Sequence, residues 1–290
     1  MTQERASQIW PDPTSSFAFL DFEPEGSSLP AADPGLSVKH SGFWSYGGPF
    51  ITQIDELPPE FFEWADATLS GTLLPRLMPL LTNCNEVVRK RGLDHYWFTI
   101  RATKPMSEFD TPRWHTDDLF FSSLASKLRS MPWQPPERSQ DSRLDLRINW
   151  KLCATLLGPA TKFIQPERQH EARERQRAAW KTLATDHHCT SIRCVACGAA
   201  ADAIRERLAV ELEPMGAIQA APRQCTWFRI GHDDGAVHSE PAMSHGDRIF
   251  VNVVPGTKDE LKTLFSRWAM EFPRSWWLAP TVARRLETFS

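Results

Sequence analysis

The sequence predicts an α+β fold with a mainly β core, a small barrel or sandwich jacketed by helices. Three observations lead there. Aromatic and β-branched runs lie on both sides of a polar helical stretch, helical periodicity brackets them at front and rear, and the longest run, 146–157, alternates between a polar and an apolar face. At 290 residues, with 41% hydrophobic and 24% charged residues, the chain can bury a core as one unit.

Residues 1–35 carry Pro, Ser, Glu and Asp with little periodicity and read as a poorly ordered lead-in without chemistry, and 36–290 read as a single domain. From 57 to 88 apolar residues fall at helical spacing. Pro58 and Pro59 fit a helix start and Pro75 and Pro79 interrupt, so two or three short helices are expected. HYWFTIRA (95–102) and WHTDDLFF (114–121) read as strands, and a Pro-rich polar insertion follows them. LRINWKLCATLL (146–157) is the long strand, closed by Gly158-Pro159, with TKFI (161–164) as its hairpin partner.

On that strand Arg147, Asn149, Lys151, Cys153 and Thr155 share one face, and Ile148, Trp150, Leu152, Ala154 and Leu156 the other. The polar face meets either solvent or a wet cavity. Residues 166–215 form a helical, Cys-containing insertion: a highly polar helix over 166–187, placed on the surface, and a second helix over about 199–213. QCTWFRIG (224–231), AVHSE (236–240) and RIFVNVV (248–254) read as closing strands, before a helix over 258–270 and a Trp-rich tail.

Thirty-three Lys+Arg against 36 Asp+Glu, a formal charge of -3, supply no field for a phosphate backbone, so nucleic acid is not an expected partner. The N-terminus lacks the pattern of a secretory signal and no apolar run is long enough to span a bilayer, so no membrane partner is expected and the expected location is cytoplasmic. Six cysteines are too few for a disulfide scaffold and read as thiols or metal ligands. Twelve Trp against two Tyr point to large flat surfaces in a core or pocket, with Trp97, Trp150 and Trp227 as candidates. Neither a Gly-rich phosphate loop nor a Gly-x-Ser-x-Gly elbow occurs, which leaves nucleotide and serine-hydrolase chemistry unsupported.

The chemistry concentrates at His115-Thr116-Asp117. Strand alternation puts His115 and Asp117 on one face about 7 Å apart, so both reach one ion. His238 supplies the third member of a set of two histidines and a carboxylate, the donor type of open non-haem Fe(II) sites. His232 and His245 compete for that place but lie in polar turns, GHDDG and SHGD. Ten residues after His238, Arg248 can return a guanidinium to the ion's neighbourhood and grip a carboxylate, or, with Asp247 beside it, serve only as a salt-bridge partner. Arg101 and Arg229 read as edge residues.

His115-x-Asp117, His238 and Arg248 resemble the iron ligands and cosubstrate anchor of the Fe(II)/2-oxoglutarate dioxygenases. More narrowly, RWHTD (113–117), LCATLLGPATKFI (152–164) and AVHSEPAMSHGDRIFVNV (236–253) are similar to stretches of the DUF1826 proteins, a branch of that double-stranded β-helix superfamily. The likeness covers roughly 93–165 and 224–254 and leaves out the polar helix, the cysteine segment and the termini. It implies a double-stranded β-helix (jelly-roll, cupin-like) barrel with Fe(II) on His115, Asp117 and His238 and 2-oxoglutarate on Arg248. Lys151, Asn149 and Thr155 would line the same cavity, either at the cosubstrate carboxylate or in structural hydrogen bonds. A carboxylate at Asp117 implies hydroxylation or desaturation of a small organic substrate with O2, rather than halogenation. Two alternatives stay open: a metal-dependent enzyme of the same fold without 2-oxoglutarate, and a non-catalytic β-barrel binding module.

A second constellation, His187-His188-Cys189 with Cys194-x-x-Cys197, has ligand types and short spacing that suit tetrahedral Zn. No distal pair completes it, so a closed site would use His187, Cys189, Cys194 and Cys197, and free thiols between two helices are the alternative.

Overall fold

The computed structural model describes residues 15–23, 35–107, 110–121, 150–183, 195–244 and 246–278. The chain is α+β, built on a large antiparallel sheet. In chain order the strands are β1 (Phe17–Asp21), β2 (Ser37–Val38), β3 (Gly42–Pro49), β4 (Leu69–Ser70), β5 (His95–Thr103), β6 (Trp150–Leu157), β7 (Lys162–Ile164), β8 (Ala217–Gln219), β9 (Gln224–Arg229), β10 (His238–Ser239), β11 (Arg248–Gly256) and β12 (Arg274–Trp277). The α-helices are α1 (Pro59–Thr68), α2 (Leu74–Arg89), α3 (Gln169–Leu183), α4 (Val195–Leu212) and α5 (Lys258–Ser266).

Seven strands form the main sheet in the order β1-β9-β6-β11-β5-β3-β12, and three form a smaller one, β10-β7-β8. Among the described residues no ladder closes the two into one barrel. The main sheet separates its faces by alternation. Trp44, Phe98, Trp150, Leu152, Trp227, Val251 and Val253 point to one side and meet Phe61, Trp64, Leu77, Leu81 and Val88 of α1 and α2 in the principal core. The opposite face of β6 carries Lys151, Cys153 and Thr155, as its alternation requires, and there Phe17, Cys153 and Phe228 pack against Phe163, Ile230 and Ala236 in a second cluster. The metal-ligand candidates lie between these layers, on the small-sheet side.

Several expectations change. Pro75 opens α2 rather than interrupting it, and only Pro79 is internal. Phe17–Asp21, inside the stretch read as a lead-in, pairs with β9 along its whole length. TKFI does not fold back on the long strand; Lys162–Ile164 pairs with β10 and β8 and so starts the small sheet. WHTDDLFF is not a strand: its single β-bridge is His115 to His238. The bonds around it are isolated, from Arg113 N–H to Ser239 Oγ at 2.8 Å, from Gly231 N–H to the Asp117 carbonyl at 2.6 Å and from Arg267 to the Phe120 carbonyl at 3.1 Å, and extend no ladder.

Gly158 ends β6 with φ +83°, and a Cβ there would run into the Asp247 carbonyl, next to Arg248. Gly158→Ala should lower stability by about 1–3 kcal/mol in urea unfolding. An unchanged midpoint would contradict this close approach.

Candidate metal centre

His115 and His238 sit opposite each other in an antiparallel bridge with two reciprocal N–H···O bonds of 2.9 Å. This closeness puts their ring centroids 4.3 Å apart. Asp117, two residues on, brings Oδ1 to 3.6 Å from His115 Nε2 and 3.8 Å from His238 Nε2. One ligand atom from each of His115, Asp117 and His238 lies within 4.8 Å of the others, a spacing that one cation can bridge.

The imidazoles are oriented for ligation. His115 Nδ1 lies 2.7 Å from the Arg113 carbonyl and His238 Nδ1 2.9 Å from the Ala236 carbonyl. A carbonyl only accepts, so both Nδ1 atoms carry the proton and both Nε2 atoms turn a lone pair toward Asp117. Asp117 Oδ2 accepts from Lys151 Nζ at 2.8 Å, which leaves Oδ1 as the oxygen facing the rings. Phe163 stacks on His238 at 5.5 Å and Phe228 approaches it at 4.9 Å, walling that ring from water. The His115 side chain is 39% exposed against 8% for His238, so the site opens on the His115 side.

The electrostatics follow from this packing. Burial alone would raise the Asp117 pKa, but the Lys151 ammonium and the two imidazoles hold it well below the usual carboxylate range. Burial opposes protonation of His115, yet the Asp117 carboxylate, which would accept from a protonated Nε2, outweighs it at this open ring and raises its pKa. His238 has no such opening. Burial, with the neighbouring His115 charge, drives it down to about 4.

Arg248 is buried at the start of β11, before a register shift between Ile249 and Phe250 that bends the strand. Its Nε donates to the Pro159 carbonyl and its Nη2 to Thr161 Oγ1, each at 3.0 Å, and the guanidinium stacks over Phe250 at 4.2 Å. No carboxylate among the described residues lies within ion-pairing distance of it. Burial lowers its pKa to about 10. Its neighbour Cys153, a buried thiol, is raised by the same burial to about 11.

The helix assigned to the surface proves half buried. Gln169, Arg173 and Gln176 of α3 turn inward. Gln169 accepts from Val237 N–H at 2.7 Å and donates to the carbonyls of Ile164 and Val237, fixing the residue before His238. Arg173 donates to the Gly235 carbonyl at 3.1 Å, and Gln176 to Thr116 Oγ1 at 3.4 Å. The helical period at 169, 173 and 176 was visible, but its polar residue types read as solvent-facing.

Of the expected cavity residues, Lys151 is a partner of Asp117. Thr155 stands opposite Phe250, at the Arg248 end. Asn149 lies outside the described residues, as do His187, Cys189, Cys194 and His245; Cys197 is half-buried. His232 pairs with Asp118 at 3.1 Å, outside the triad. Trp150 and Trp227 belong to the principal core, whereas Trp97 is half exposed. Arg229 stacks over core Trp150 at 5.5 Å, and Arg101 is exposed. Thr161, Gln169 and Ser239 were missed because they act through contacts distant in sequence.

No family model and no curated protein matches the chain. The resemblance to the DUF1826 proteins therefore stands on its three motif stretches alone. Among solved structures the chain is similar to HygX from Streptomyces hygroscopicus, determined with nickel and 2-oxoglutarate bound, at 12% identity and a TM-score of 0.34, over 89% of this chain and 87% of that one. A likeness of that degree establishes neither a shared fold nor a shared ligand. No described helix is long and apolar enough to cross a membrane.

The metal-free chain should lose stability as pH falls from the ordinary imidazole range toward about 4. There the unfolded chain binds a proton at His238 that the folded chain excludes, so protons favour unfolding. His115, raised when folded, contributes the opposite slope just above that range. His238→Gln should flatten the acid loss in melting curves; a curve parallel to wild type would contradict the assignment.

Proposed function

We propose that this chain is a non-haem Fe(II)- and 2-oxoglutarate-dependent oxygenase that hydroxylates or desaturates a small organic substrate, using O2. The observation that carries the reading is the convergence of two oriented Nε2 atoms and one carboxylate oxygen within 4.8 Å. This donor set is that of an open facial iron site, which leaves positions for a bidentate 2-oxo acid and for oxygen.

The second support is Arg248. A buried guanidinium without a paired carboxylate is costly, and a ligand carboxylate in its place restores the balance. Thr161 and Pro159 fix two edges of the fork, and Phe250 holds its plane. Bound there, iron and a 2-oxo acid supply the oxidising chemistry. The chain presents Nε2 from His115 and His238, keeps Asp117 ionised through Lys151, and uses Phe163 and Phe228 to exclude water behind His238. A double-stranded β-helix arrangement of the two sheets belongs to the same proposal. So does a zinc site at His187, Cys189, Cys194 and Cys197.

Anaerobic titration with Fe(II), then 2-oxoglutarate, tests it. Wild type should develop a weak visible charge-transfer band; His115→Ala should bind no iron and show none. Arg248→Met should keep the iron and need about 10- to 100-fold more 2-oxoglutarate. Iron binding without the band would instead favour a metal enzyme independent of 2-oxoglutarate. Absence of iron binding would favour a binding module.

A further inference from the structure

The face of the main sheet that carries Lys151 continues away from the triad as an aromatic surface. Lys151 Nζ, bonded to Asp117, lies 5.9 Å over the Phe120 ring. Phe120 meets Trp97 edge to face at 5.8 Å, and Trp97 meets Trp268 at 5.0 Å. These three rings are half buried to exposed, with Trp268 39% exposed. They are also held in place. Trp97 Nε1 donates to Ser45 Oγ at 2.8 Å, and Arg267 donates to the Phe120 carbonyl at 3.1 Å. The rings meet at 88° and 59° and form a stepped aromatic wall that begins at Lys151 and runs outward, which distinguishes them from the core tryptophans.

The sheet register places Asn252 beside this run. It stands opposite Thr99 on β5 and Cys153 on β6, each two residues along its strand from Trp97 and Lys151, so alternation puts all of these on one face. Asn252 Oδ1 is buried without a hydrogen-bond partner. A buried acceptor without a donor calls for one from a ligand or water.

The geometry points to Phe120, Trp97 and Trp268 as the substrate platform of the metal site, taking a flat aromatic ring that carries an N–H or O–H donor for Asn252. This rests on the oxygenase reading. A flat ring packs edge-on or face-on against such a stepped wall and can direct its donor to Asn252.

Ligand-observed NMR titration of the full chain with indole, and with its donor-free isostere benzofuran, tests the platform without turnover. Indole should bind several-fold more tightly than benzofuran, and Asn252→Leu should remove that difference. Trp97→Ala and Trp268→Ala should each weaken indole about threefold to tenfold; the exposed position of Trp268 makes its variant safe for folding. Loading with Mn(II) should broaden the indole signals, and His115→Ala should abolish the broadening while indole still binds. Indole affinity unchanged in both tryptophan variants overturns the platform, as do sharp indole signals in a chain that holds Mn(II). A chain that holds no Mn(II), but whose indole binding responds to the tryptophans, overturns the oxygenase reading and upholds the aromatic site.

Discussion

The two reciprocal hydrogen bonds between His115 and His238 organise everything around the site. They join a segment with no ladder of its own to a two-residue strand that β7 holds from its other side, and so bring the two imidazoles together. Two backbone bonds are worth little by themselves. Their geometry persists because each side is clamped again: Ser239 Oγ holds Arg113, Gly231 holds Asp117, and Gln169 saturates Val237. The chain therefore fixes a pair of imidazoles on irregular backbone by tying the flanking backbone groups to partners on other elements.

Charge is placed with the same economy. Asp117 is buried and stays ionised because Lys151 neutralises it, and Lys151 in turn is flanked by Phe120 and Phe228, whose faces tolerate a cation. Arg248 has hydrogen bonds and a ring, and among the described residues no carboxylate within ion-pairing distance, Glu240 acting on it only at longer range. That asymmetry, one cation in a direct ion pair and one without, is the basis on which a ligand carboxylate is proposed at Arg248. The expected effect of emptying or filling this position is thus on ligand affinity more than on folding.

Much of this was legible in the sequence, for identifiable reasons. The runs 95–102, 146–157 and 248–254 announce themselves through aromatic and β-branched content, the second also through alternation, and His115, Asp117 and His238 through their residue types. What failed was anything set by partners far along the chain. Strand β1 sits in a stretch whose composition resembles linker, and only its pairing with β9 makes it a strand. Lys162–Ile164 follows a Gly-Pro turn that looks like a hairpin, yet it crosses to the other sheet. Helix α3 is so polar that its buried face, Gln169, Arg173 and Gln176, was hidden; those side chains go inside because backbone groups there need donors and acceptors. The alternation argument for His115 and Asp117 names two side chains that do converge, but through the wrong element, since residues two apart on any extended segment share a side.

X-ray absorption at the iron edge of the reconstituted chain, alongside His238→Ala, tests the central claim most directly. The account predicts one iron per chain with two imidazole nitrogens and otherwise oxygen neighbours, reduced to one imidazole or to no bound iron in the variant. A shell of sulfur at about 2.3 Å, the distance of metal–thiolate bonds, or an iron environment unchanged by His238→Ala, would place the metal elsewhere and contradict it.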